Sequence, residues 1–180
     1  MNPKKVIVIY KSSTGFTKKY AEMVAEELSC AIVDYRTVTQ ALLSEYDTVI
    51  FGTRAHAGMI DGYQKVKKMF GQSTAGRLIL FVTGAMPNAE TDVVEGFWHQ
   101  NLTPEELSEI PHFYMQAGLC YEKMCLTDRL MMKVASGMMK RKKDKSPQDL
   151  AMEQAIKGSY DISSRQYIEP LVSYIREMPQ

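Results

Sequence analysis

The chain has 180 residues, 45% of them hydrophobic, and 22 Lys and Arg against 21 Asp and Glu give a formal charge of +1. That near-zero balance excludes a nucleic-acid-binding polycation and an acidic-tail protein. Three cysteines, Cys30, Cys120 and Cys125, without CxxC or Cys/His spacing, argue against a zinc site and for a reducing compartment. One domain of this length buries roughly two-thirds of its unfolded surface without staples. No apolar run reaches the ~18 residues of a membrane span, and the leading run is too short for a signal peptide. A soluble, cytoplasmic protein with no metal and no nucleic-acid partner is therefore expected.

In chain order, short and nearly continuous apolar runs at Val6–Tyr10, Ala31–Tyr35, Thr48–Gly52, Leu78–Thr83 and His112–Ala117 read as strands. Continuous rather than alternating runs are what a parallel sheet covered on both faces requires. Between the first two, Phe16, Tyr20, Met23, Val24 and Leu28 recur at helical spacing. Between the third and fourth, Tyr63, Val66 and Phe70 mark a second helix, with Asp61 as its expected N-cap. Alternating strand and helix on this scale gives an α/β, doubly wound open sheet. Further on, Leu126, Leu130, Val134 and Met138 space as a helix over 126–139, followed by "KRKKDKSPQD" as a loop. Ser163 and Gln166 suggest a capping box for a terminal helix, which Pro170 moves toward a start near Glu169.

Ligands of doubly wound sheets bind at the carboxyl ends of the strands. The loop after the first strand reads Lys11-Ser12-Ser13-Thr14-Gly15-Phe16-Thr17. It matches neither G-x-x-x-x-G-K-[ST] nor G-x-G-x-x-G, which disfavours nucleoside triphosphates and dinucleotides. Hydroxyls and backbone N–H groups at a helix start can wrap a terminal phosphomonoester. The same residues also serve as ordinary turn and cap residues, and the loop alone does not separate the two.

The run Val8-Ile9-Tyr10-x-Ser12-x-x-Gly15-x-Thr17-x-x-x-Ala21-x-x-Val24 resembles the phosphate-loop signature of flavodoxins. Gly52 to Gly58, "AGLCY" at Ala117–Tyr121, "DRLMMKVASG" and "YDISSRQYIEPLVSYI" resemble the flavodoxin-domain branch that includes menaquinone-dependent protoporphyrinogen dehydrogenases. The resemblance implies one flavodoxin-like domain over residues 1–180. Its five-stranded parallel sheet would have order 2-1-3-4-5 and helices on both faces, with an irregular insertion and extra helix around 119–160. It implies FMN as cofactor and an oxidoreductase or electron-transfer role. Within that role stand a quinone-linked protoporphyrinogen dehydrogenase-like enzyme and a plain electron carrier. Ser12, Ser13, Thr14, Gly15, Phe16 and Thr17 would hold the phosphate. Thr53, Arg54, Ala55, His56, Ala57 and Gly58 would line one side of the flavin ring, and Thr83, Gly84, Ala85 and Met86 the other.

The chain departs from the flavodoxin pattern in two ways. Neither ring-lining loop holds an aromatic residue, so either the ring faces are open or Trp98 or Tyr63 folds back over one. The loops also carry no Asp or Glu, unlike the acidic rim of shuttle flavodoxins, which favours an enzyme-like role with a small-molecule or protein redox partner.

No catalytic residue stands out beyond His56, whose imidazole could bond flavin or exchange a proton near neutral pH, against the alternative of an exposed loop histidine. Arg54 is either a positive charge near the flavin or a surface residue. Cys120 and Cys125 are either a redox pair or, more simply, buried small hydrophobes. Met124, Met131, Met132, Met138 and Met139 beside Lys140–Lys143 are either a core-facing helix or an adaptable surface for a quinone-bearing membrane or a partner protein.

Overall fold

The computed structural model describes residues 5–145, 150, 153 and 156–178. Contacts divide the chain into two compact units, one of Met1–Ala117 with Ser163–Gln180 and one of Gly118–Ile162.

In the larger unit, β1 (Val6–Tyr10), β2 (Ala31–Asp34) and β3 (Thr48–His56) are parallel, and two-residue β4 (Met59–Ile60) folds back antiparallel on β3. With β5 (Arg77–Gly84) and β6 (His112–Gln116), also parallel, the sheet runs β2-β1-β3-β5-β6. Its five parallel strands are thus in the expected order 2-1-3-4-5. Side chains alternate between two apolar faces. Ile7, Ile9, Val49, Phe51, Leu78, Leu80 and Val82 point to one core, and Val8, Ile50, Ile79, Phe81 and Met115 to the other. That double burial is why the strands read as continuous apolar runs.

One face is covered by α1 (Phe16–Leu28) through Tyr20, Ala21 and Val24, and by the chain's last described helix through Leu171 and Val172. The other is covered by α2 (Gln40–Leu43), α3 (Tyr63–Gly71) and α4 (Thr91–Asn101), through Leu43, Tyr63, Val66, Phe97 and Trp98. Short α5 (Pro104–Glu109) follows.

Three expectations change here. The third strand runs four residues beyond Gly52, to His56, because Thr53 and Arg54 still pair with β5 and β4 gives Ala55 and His56 a partner. Asp61 does not cap α3; Gly62, at φ 79°, holds that position. Ser164, not Ser163, is the capping residue near the C-terminus, its Oγ accepting from Gln166 N over a single 3₁₀ turn (Arg165–Tyr167). As anticipated from Pro170, the final helix starts at Glu169, with the proline in the first turn, where no N–H is needed.

The smaller unit is built from β7 (Gly118–Leu119) paired antiparallel with β8 (Tyr160–Asp161), a 3₁₀ turn (Tyr121–Lys123) and α6 (Leu126–Arg141). The final helix is therefore α7 (Glu169–Glu177). Tyr121 Oη donates to Ile156 O at 2.5 Å, and Arg129 donates to the carbonyls of Tyr121 and Glu122. Of the expected basic loop, Lys140 and Arg141 belong to α6, and residues 146–149 lie outside the described residues. Among the described residues no helix is long and apolar enough to cross a membrane.

Tyr63 and Trp98 sit inside the core. Tyr63 Oη donates to Glu106 Oε1 at 2.6 Å, and Trp98 packs on Phe97 and on His112, whose ring is 4.7 Å away. Neither folds back to cover a flavin. Glu106 is nearly buried, and burial alone would raise its pKa. The Lys67 ammonium at 2.6 Å, the Thr103 N–H and the Tyr63 hydroxyl outweigh burial and hold it down to about 2. The reciprocal Thr103–Glu106 capping box that starts α5 shares this carboxylate. A depressed carboxylate stabilises the fold above the ordinary range and loses that contribution as pH falls toward about 2. Glu106→Gln should cost about 2 kcal/mol at neutral pH. Its deficit should shrink as pH falls from about 4.5 to 2, as urea melts at pH 7 and pH 3 would measure; equal deficits at both would refute the assignment.

Candidate functional site

Strand order reverses between β1 and β3: the connection from β1 leads outward to β2, and that from β3 leads toward β5. The carboxyl ends of β1, β3 and β5 therefore open a crevice at the switch point, and all three ring- and phosphate-loop segments read from the sequence lie there.

After β1 the chain turns through Ser12–Gly15. Ser12 Oγ accepts from Gly15 N at 3.1 Å, Ser13 is exposed and Thr14 half-buried. Gly15 is the N-cap of α1 at φ 101°, a left-handed conformation that a β-carbon penalises. No side chain caps the helix, so its first-turn N–H groups are left to a ligand or solvent. Phe16 is half-buried against the α1-side core.

Thr17, Thr53 and Thr83 are buried beneath the crevice. Thr17 Oγ1 and Thr83 Oγ1 are 2.8 Å apart, Thr83 Oγ1 donates to Thr53 O at 3.3 Å, and Thr53 Oγ1 donates to Asp61 O at 2.6 Å. These three residues are brought together as a hydrogen-bonded layer joining the three loops.

Thr53, Arg54, Ala55 and His56 lie on β3 itself, and Ala57 and Gly58 form the two-residue turn into β4. Both turn residues have positive φ, 50° and 79°, the geometry of a type I′ hairpin turn. His56 faces Met59 across the hairpin. Asn101 of α4 braces it: Nδ2 donates to Gly58 O at 2.8 Å and Oδ1 accepts from Ile60 N at 2.9 Å.

Beyond β5, Ala85 and Met86 are half-buried. Met86 N donates to Tyr114 Oη at 2.9 Å, and a β-carbon on Gly84 would sit 2.4 Å from that oxygen. Asn88 pins the same loop to β6: its Oδ1 accepts from Gln116 N, its Nδ2 donates to Tyr114 O, and its own N–H donates to Gln116 Oε1.

Arg54 is no isolated surface residue. Asp61 bridges it (Nε–Oδ2 3.2 Å) and Lys11 (Nζ–Oδ1 2.5 Å). Burial would raise the Asp61 carboxyl, but the two cations outweigh it and hold the group below the usual carboxylate range. Lys11 and Lys65 also lie over the Tyr35 ring, 5.2 and 5.1 Å from its centre.

Sequence reasoning missed Lys11, Asp61, Asn88, Asn101 and Tyr114 as parts of this site. Each acts through a partner at least 26 residues away, which local pattern does not show. The cysteines are corrected as well: all three are free, Cys125 is exposed and Cys120 half-buried. A buried position therefore describes neither Cys120 nor Cys125. Burial does push the Cys30 thiol up, to about 11.

A family model described as a flavodoxin domain matches residues 7–146. No curated protein matches the sequence. Similar solved structures include an archaeal flavodoxin (14% identity, 74% of this chain and 97% of that one, TM-score 0.42). Others are a WrbA-like flavodoxin from Agrobacterium tumefaciens (18%, 70% and 88%, 0.42) and the two-electron reduced Megasphaera elsdenii flavodoxin (14%, 61% and 82%, 0.44). With the family model covering most of its length, the chain belongs to the flavodoxin domain family.

Proposed function

We propose that the chain binds FMN at the carboxyl ends of β1, β3 and β5 and works as a redox protein. The observation that carries this reading is the start of α1 at the switch point: a left-handed Gly15 and a helix N-terminus without a side-chain cap, directly preceded by Ser12, Ser13 and Thr14. That donor set suits a phosphomonoester, which needs N–H groups and hydroxyls more than cations. FMN, when bound, supplies reversible one- and two-electron chemistry.

The residues divide the work. Ser12–Phe16 would hold the phosphate. The hairpin from Arg54 to Gly58 and the loop at Gly84–Met86 would line the ring, both braced from behind by Asn101, Tyr114 and Asn88. The Thr17–Thr83–Thr53 layer would fix the spacing between them. Lys11 and Arg54 converge on the Asp61 carboxylate beside the crevice, and cations there would favour a reduced, more negative ring. His56, on the hairpin edge, is our candidate to exchange a proton with it.

Quinone-linked oxidation of protoporphyrinogen is the narrower form of this proposal, supported by the branch resemblance at Ala117–Tyr121 and in the closing segment; rapid reoxidation of the reduced protein by a soluble menaquinone analogue would favour it. Anaerobic photoreduction separates the broader roles: two resolved one-electron steps mark a carrier, and one two-electron step marks an enzyme.

Titration with FMN and with riboflavin tests the phosphate assignment. FMN should bind at least a hundredfold more tightly, given about 1.5–3 kcal/mol per charge-assisted hydrogen bond. Gly15→Ala should weaken FMN binding about tenfold through backbone strain and leave riboflavin binding nearly unchanged. Equal affinities for the two flavins would exclude the site. Asp61→Asn should raise the midpoint potential of the bound flavin, by an amount that falls as salt is added; a downward shift would contradict the electrostatic reading.

A further inference from the structure

The smaller unit carries a surface that the flavin reading leaves unused. On α6, Leu126, Leu130, Val134 and Met138 are 82, 63, 55 and 70% exposed, and Met131 is exposed beside them. The one buried residue of that helix is Asp128, so the core-facing reading of its Met-rich pattern does not hold. At ~100° per residue, these side chains cover an arc of about 140° along a helix of about 24 Å.

Cations flank the arc. Arg129, Lys133 and Lys140 of α6 line, with Lys157, a groove of about 570 Å³. Residues 126–145 hold seven Lys or Arg and two Asp, a charge of +5, whereas the other 160 residues hold 15 basic and 19 acidic side chains, −4. The near-neutral total conceals this segregation.

We infer that α6 lies in the interface of an anionic lipid surface, its apolar stripe at the acyl boundary and its lysines among the phosphates. A row of flexible Leu and Met side chains bordered by lysines is the pattern of an interfacial helix. Its cations and length keep it on the membrane rather than across it. A second copy would bring +5 against +5, which charge repulsion opposes. The inference does not depend on the flavin reading.

Co-sedimentation of the full chain with vesicles at low salt tests it. Wild type should pellet with phosphatidylcholine vesicles containing roughly one-third phosphatidylglycerol and not with phosphatidylcholine alone. A Lys133→Gln, Lys140→Gln, Lys142→Gln, Lys143→Gln variant should need at least about tenfold more lipid for half-saturation. A Leu130→Ser, Val134→Ser, Met138→Ser variant should show a similar loss. Both should keep the wild-type circular dichroism and FMN affinity, which separates failure of this inference from failure of the flavin site.

No pelleting by wild type, equal pelleting with neutral vesicles, or wild-type behaviour of either variant would overturn it. So would a dimer, seen by light scattering, that the serine variant abolishes without any lipid binding; that result would assign the stripe to a second copy. Retention on polyglutamate without lipid binding would assign it to an acidic protein.

Discussion

Three buried threonine hydroxyls hold the crevice in shape. Thr17 belongs to α1, Thr53 to β3 and Thr83 to β5, and their bonds run on to the Asp61 carbonyl. A hydroxyl buried without a partner is costly, so the three loops cannot drift apart without losing several bonds together. The spacing of the loop after β1 from the hairpin and from the loop after β5 is therefore set beneath the surface. The Asn88 and Tyr114 contacts to the loop after β5 and the Asn101 contacts to the hairpin repeat the same logic from the sides.

The crevice is electrically different from its surroundings. Elsewhere in the larger unit, apart from the Lys67–Glu106 pair, ion pairs such as Arg165 with Glu26 and Glu27 lie on the exposed surface, where they contribute little. At the crevice, two cations converge on one half-buried carboxylate. The arrangement fixes Arg54 and Lys11 in place beside the crevice.

Much of this was legible in the sequence because it depends on local or periodic information. The five parallel strands, α1, the helical stretch after Leu126 and the start of α7 near Glu169 follow from apolar spacing and from proline geometry. What could not be read depends on distant partners. Asp61 looks like a helix cap because acidic residues cap helices, yet its real partners are Lys11 and Arg54. The strand past Gly52 loses its apolar character at Thr53-Arg54-Ala55-His56, and only its pairing identifies it, with β5 at Thr53 and Arg54 and with β4 at Ala55 and His56. Tyr63 and Trp98 carried no mark of their direction; Glu106 and His112 decide it. For α6 the pattern gave the helix but not its surroundings: Leu126, Leu130, Val134, Met131 and Met138 are exposed, and of its methionines only Met132 and Met139 are half-buried.

The hairpin at Ala57-Gly58 has a further implication for how such a site can diversify. A two-residue turn fixes register, and strand side chains alternate with a period of two. Inserting one residue there would turn one flank's outward side chains inward, displacing His56 relative to Met59. Ala57, held at φ 50°, occupies a left-handed turn position that Gly or Asn would fill with less strain. This rim of the crevice can vary by substitution, while its chain length stays constrained by the geometry of the turn.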